Sequence, residues 1–300
     1  MNITSRPIIV AIPLLFAAAA FAQATPAKPK TSAEIVAAAP ASAWKVVADE
    51  DLLMIDLDGG QRVVIALAPA FAPVHVANIR ALVRAGWFAG ITVNRVQDNY
   101  VVQWGDATEK KPLPAGIVTP TPAEYERPLA GLKLRPLGYR DAYAQTTGHV
   151  GFWPVVSDGN AAWLTHCYGM VGVGRGLAPD TGSGAELYAV TGHAPRHLDR
   201  NIATVGRVID GIEALTALPR GTEALGFYKE GTPRPAISRA TIAADLPAAQ
   251  RPHYQLLDSA SPAFGEWVTA RANRKDDFFI RPAGAVDICN ALPPVRKSPV

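Results

Sequence analysis

An arginine and a glutamine eight residues apart, Arg95 and Gln103, stand inside the β-branched and aromatic run 92–106, TVNRVQDNYVVQWGD. Strand alternation puts Arg95 on the face that carries Val93. Asp98-Asn99 reads as the turn between strands 92–96 and 100–104, and such a hairpin brings Arg95 across from Gln103. A guanidinium held at the edge of an apolar surface is a fixed charged donor, able to stabilise electron density that develops during a reaction without giving up a proton. The plainer reading is an arginine that snorkels from a sheet edge to water.

Other chemistry-bearing patterns are weaker. Gly172-Val173-Gly174-Arg175-Gly176 lacks the third glycine of a dinucleotide loop, since Leu177 takes its place, and reads as a strand leading to a turn. His193 and His197 have metal-like spacing, but Pro195 between them spoils a helix and no carboxylate pattern supports them. Ser183 sits in Gly-Ser-Gly, ordinary turn chemistry rather than a nucleophile elbow. No metal and no cofactor is expected.

The segment 95–106 resembles the central signature of the cyclophilin-type peptidyl-prolyl cis-trans isomerases, roughly F-H-R-x-x-x-x-F-x-x-Q-G-G-D. Three further stretches fall in the family's order. PAFAPVHVANI (69–79) is similar to the start of its first helix, GSGAELYAV (182–190) to its N-G-S-Q-F-F-I strand, and LDRNIATVGRV (198–208) to its L-D-x-x-x-x-x-F-G-x-V segment. The resemblance spans about residues 49–246. It implies a mainly β fold, a closed antiparallel barrel with a helix capping each end, and an enzyme that isomerises X–Pro bonds in proline-containing segments of unfolded or extended polypeptides. It makes Arg95 the catalytic residue, Tyr100, Val101, Tyr188 and Leu198 the lining of a proline pocket, and Gln103 the holder of substrate backbone, with Glu186, His197 and Ile202 completing the binding site.

Departures from the pattern bear on that site. Val93-Asn94 replaces Phe-His, Glu186 a frequent glutamine, His197 a tryptophan and Ile202 a histidine. Trp104 stands where a glycine is usual and is expected to narrow access. The altered rim keeps a second reading open, a barrel retaining the groove as a weakly catalytic or inactive peptide-binding or chaperone module.

The elements that must position these residues are legible in outline. Two β-rich runs, 52–58 and 61–67, join through Gly59-Gly60, and 74–85 reads as a helix with Pro73 at its start, Val76, Ile79 and Val83 on one stripe and Gly86 as its stop. Later strands are expected at 170–174, 186–190, 203–208 and 236–243. Periodicity does not choose between barrel and sandwich; the resemblance chooses the barrel.

The 300 residues, 49% hydrophobic and 18% charged with a formal charge of +3, allow one sizeable core plus extensions. Lacking a basic stripe, the chain has no evident nucleic-acid or anionic-membrane partner. Residues 1–22 read as a signal peptide, with Arg6 before an apolar run and Ala20-Phe21-Ala22 as a small-residue cleavage pattern. The expectation is export to a bacterial periplasm, without stable membrane insertion after cleavage; tethering by an uncleaved segment is the alternative. Residues 23–43, rich in alanine, proline and lysine, read as a flexible lead before a domain at 44–246.

Within that domain an insertion at about 107–165 carries many prolines, with Phe152, Trp153 and Trp163 as anchors, and part of it is expected near the groove. The extension 247–300, with Phe264, Trp267, Phe278 and Phe279, is expected to dock on the barrel. Cys167 and Cys289, the only cysteines, invite one disulfide in an oxidising compartment; two buried thiols are the alternative.

Overall fold

The computed structural model describes residues 1, 29–275 and 278–298, so the expected signal segment lies outside the described residues apart from Met1. In chain order the regular elements are α1 (Ser32–Ala38), β1 (Trp44–Val46), β2 (Leu52–Leu57), β3 (Arg62–Leu67), α2 (Pro73–Arg84), β4 (Thr92–Val96), β5 (Val101–Gly105), β6 (Arg127–Pro128), β7 (Arg135–Pro136), β8 (Thr146–Val150), β9 (Trp153–Ser157) and β10 (Ala161–Leu164). They continue with β11 (Met170–Val173), β12 (Leu187–Val190), β13 (Thr204–Asp210), α3 (Ile212–Thr216), β14 (Ile237–Ile242), β15 (Tyr254–Leu257), α4 (Pro262–Ala272) and β16 (Val295–Lys297).

Eight antiparallel strands in the order β14-β2-β3-β13-β11-β12-β5-β4 form the barrel. Its two edge strands meet where Val93 N–H donates to Pro235 O at 2.8 Å and Ile237 N–H to Ile91 O at 2.7 Å, which closes the ring and leaves little edge to pair elsewhere. Inward-facing Leu53, Ile55, Val63, Ile65 and Val171 form the interior with Val76, Ile79 and Leu82 of α2 and Leu215 of α3. The stripe expected on α2 is therefore the face it buries, and Gly86, at φ 67°, follows the helix end as its stop.

The insertion builds a second sheet, β6-β10-β9-β8-β7. Trp153, Val155, Ala162 and Leu164 pack on Leu52, Met54, Val64 and Ala66, the outward side chains of β2 and β3, so both faces of those strands are buried. Trp163 is buried as well, and Phe152 packs at the margin.

The chain ends differ in part from expectation. Trp44, placed by sequence at the start of the barrel domain, pairs with Leu257 in a third sheet, β1-β15-β16. Where it is described, the lead expected to be flexible forms α1: Thr31 and Glu34 close a capping box, and Ile35 buries against Phe264, Trp267 and Val268 of α4. The alanine-rich stretch has high helix propensity, and one apolar side chain finds an apolar partner face that composition alone cannot reveal. Cys167 and Cys289 form a disulfide with Cα atoms 5.0 Å apart. Phe264 and Trp267 are buried in the docked tail, whereas Phe278 is 83% exposed.

Candidate active site

The site is built on the β4–β5 hairpin. Arg95 and Gln103 are cross-strand partners, as expected, and the turn runs from Gln97 to Tyr100 with Asn99 at φ 50°. The facing of Arg95 differs from the simple alternation. The register shifts between Val93 and Arg95, with Asn94 as the extra residue, so Val93 and Val96 both enter the core and Arg95 turns outward. Asn94 is buried and holds the irregularity by donating from Nδ2 to Gly105 O at 2.9 Å and accepting from Thr92 Oγ1 at 2.7 Å.

Three acceptors aim the guanidinium. Nε donates to Leu225 O at 2.7 Å, Nη1 to Gln103 Oε1 at 3.1 Å, and Nη2 to Gln97 Oε1. The rings of Tyr100 and Phe227 also flank it, with centroids 5.4 and 5.5 Å from Arg95 Cζ. Burial lowers the Arg95 pKa, opposed by Tyr100 and Glu186, yet a guanidinium starts so high that it keeps its charge.

Gln103 passes the order on, its Nε2 donating to Glu186 Oε1 at 2.5 Å. Burial raises the Glu186 pKa, with the Gln103 hydrogen bond opposing. Beyond this pair an open groove of about 630 Å³ runs past Phe227, Leu113, Arg175 and Asp180. Leu113 and Thr121 come from the insertion, whose first part therefore lies against the groove as expected.

On the other side of Arg95, Val101, Tyr188 and Val190 form a buried apolar cluster with Tyr100, Leu198 and Ile202 packed against it. The five apolar residues that sequence put at the pocket thus come together beside the guanidinium. His197 is exposed at the rim, its ring stacked on Tyr100 at 6.1 Å. Trp104 corrects the expectation of narrowed access: as the neighbour of Gln103 it points to the opposite face, into the barrel interior, and is 2% exposed.

Sequence reasoning missed Gln97, Leu225 and Phe227, which hold Arg95 from a turn and from a loop 130 residues downstream. It also missed His166, whose ring bonds both Tyr188 and Asp199. Only Gly221 and Gly226, bracketing the second loop, hinted at a tight turn there. The glycine run 172–176 is the end of β11 and the irregular link that leads to a turn at 177–179, and among the described residues no group of three or more His, Cys, Asp or Glu side chains is placed to hold a metal ion.

Comparison with known proteins gives a consistent picture. Residues 52–241 match the family model described as cyclophilin type peptidyl-prolyl cis-trans isomerase/CLD. Proteins of Brucella suis and Brucella melitensis, each named "Probable peptidyl-prolyl cis-trans isomerase", are 25% identical over 196 residues, 65% of this chain and 84% of theirs. The crystal structure of cyclophilin AquaCyp293 from Hirschia baltica superposes with a TM-score of 0.66 at 23% identity, covering 85% of this chain and 93% of that one.

Proposed function

The chain belongs to the cyclophilin-type peptidyl-prolyl cis-trans isomerase family, and from that premise we propose that it isomerises X–Pro bonds of exported polypeptides through transition-state stabilisation by Arg95. Amide resonance opposes rotation with a barrier of ~18–20 kcal/mol. In the twisted transition state the prolyl nitrogen pyramidalises and regains a lone pair. A donor fixed there binds that state more strongly than the planar amide, and no covalent bond is made or broken.

The observation that carries this reading is the fixed guanidinium beside an apolar cluster. A guanidinium has five N–H groups. Leu225, Gln97 and Gln103 accept from one each, which leaves one on each terminal nitrogen to face a substrate whose proline ring rests on Tyr100, Val101, Tyr188, Leu198 and Ile202. A charge-assisted hydrogen bond contributes roughly 1.5–3 kcal/mol, about ten- to a hundredfold in rate. Gln103, tied to Arg95 and Glu186, would hold substrate backbone, and His197 would shape the rim.

A protease-coupled isomerisation assay on the chain from Gln23 tests the proposal. Acceleration by the parent and its loss in Arg95→Ala are expected; equal rates for the two overturn the mechanism. The second reading, a binding module without turnover, draws on His197 and Ile202 at the rim, and peptide binding without acceleration would favour it.

Export is proposed from residues 1–22, and the disulfide supports an oxidising compartment. N-terminal sequencing of the periplasmic fraction should begin at Gln23. Among the described residues no helix is long and apolar enough to cross a membrane.

A further inference from the structure

A chain of buried polar side chains runs from the insertion to the floor of the proposed proline pocket. The Tyr188 hydroxyl lies 2.9 Å from His166 Nε2, and His166 Nδ1 lies 2.9 Å from Asp199 Oδ1. Arg196 Nε donates to Asp199 Oδ2 at 2.6 Å, while Nη1 and Nη2 donate to the two carboxylate oxygens of Asp141 at 3.0 and 3.1 Å. Tyr188, His166, Asp199 and Arg196 are buried, and the Asp141 side chain is 4% exposed. Asp199 Oδ1 can only accept, so His166 Nδ1 donates to it, and one proton is shared in the contact between His166 Nε2 and the Tyr188 hydroxyl.

Three features give this chain a task at the pocket. Arg196 and Asp199 bracket His197 and Leu198, so the wall of the pocket is anchored on both sides. Tyr188 faces Gly172 across the sheet, where an added Cβ would meet the hydroxyl at 2.3 Å; only a glycine lets the ring lie over that strand toward His166. The Tyr-His-Asp order is that of a proton relay, but the hydroxyl is sealed from solvent, and what the arrangement fixes is position. A buried arginine between two carboxylates stabilises little beyond its desolvation cost, and completeness of its hydrogen bonds gives a defined geometry.

We propose that the insertion sets the proline pocket through this network, with Asp141, Arg196, Asp199 and His166 as positioning residues for the Tyr188 floor and the Leu198 wall. The inference rests on the isomerase reading of the same site. It assigns the insertion a part in substrate affinity.

The test uses Asp141→Asn, Tyr188→Phe and the double variant in the full chain from Gln23. KM and kcat come from the coupled assay, and the Kd of the same prolyl peptide from calorimetry. Each single variant should raise KM and Kd about three- to tenfold, the effect of one hydrogen bond, with a smaller change in kcat. The double variant should be no worse than the poorer single one, because both cut the same chain. Unchanged KM and Kd in a D141N protein with parental near-UV dichroism, additive effects, or a loss confined to kcat would each overturn the proposal. Should D141N fail to fold, Y188F decides alone, and a parental Kd refutes it. A parent that binds the peptide without accelerating exchange refutes the isomerase reading instead, and the Kd comparison still decides this one.

Discussion

Arg95 combines a charge with a fixed direction, and the two can be separated experimentally. Arg95→Lys keeps the charge but cannot span Leu225, Gln97 and Gln103 at once, so it should lose most of the activity, while Arg95→Ala should fall by about ten- to a hundredfold. Because Arg95 faces out of the barrel, both variants should melt close to the parent; paired rate and melting measurements check this.

Glu186 makes the opposite kind of prediction. Burial raises its folded pKa above the ordinary 4.5, so folding resists its ionisation. For a raised group, the associated stability is full below the unfolded value and is lost as pH rises through the folded one. Glu186→Gln, which still accepts from Gln103 Nε2, should therefore melt above the parent at neutral pH and match it in acid. Thermal melts across pH test the sign.

At the scale of elements, α2 is held by a residue outside it. Its N-cap is Ala72, which offers no side-chain acceptor, and Glu124 of the insertion takes Val74 N–H at 2.8 Å and His75 N–H at 3.0 Å. A carboxylate on those orphan donors also complements the helix dipole. Glu124→Ala should cost about 1–2 kcal/mol in denaturant unfolding. The same insertion borders the groove at Leu113, Thr119 and Thr121. Replacing 108–116 by a short linker should alter preference across a panel of prolyl peptides without abolishing turnover of short ones. An unchanged ranking would mean that this strip does not select.

On the scale of the whole molecule, the disulfide fastens the tail to the strand-side of the insertion across a separation of 122 residues. The chain-entropy model assigns a loop of that length roughly 4–5 kcal/mol, an upper figure. Further ties fasten the tail to β13 of the barrel: Tyr254 donates to Asp210 at 2.6 Å, Lys297 pairs with Asp210 at 2.8 Å, and Arg207 donates to Pro293 O at 3.0 Å. Non-reduced mass spectrometry should find no alkylatable thiol. After reduction, limited proteolysis should cut first within 247–298, while peptide binding at Arg95 persists.

Local signals were enough for the hairpin, the amphipathic face of α2 and the pairing of Arg95 with Gln103, because each depends on residues within a few positions of one another. The apolar residues expected at a proline pocket came from the family's order of motifs, and the structure gathers them into one cluster. What sequence could not supply is set by contacts between distant segments. The outward turn of Arg95 needs the Asn94 irregularity, its aim needs the Leu225 carbonyl, and the fate of Trp104 depends on which face of β5 is inside. The order in α1 depends on a partner helix at the other end of the chain. Helix and strand periodicity record which side chains seek burial; only the closed barrel, with the insertion and tail packed around it, decides against what they are buried.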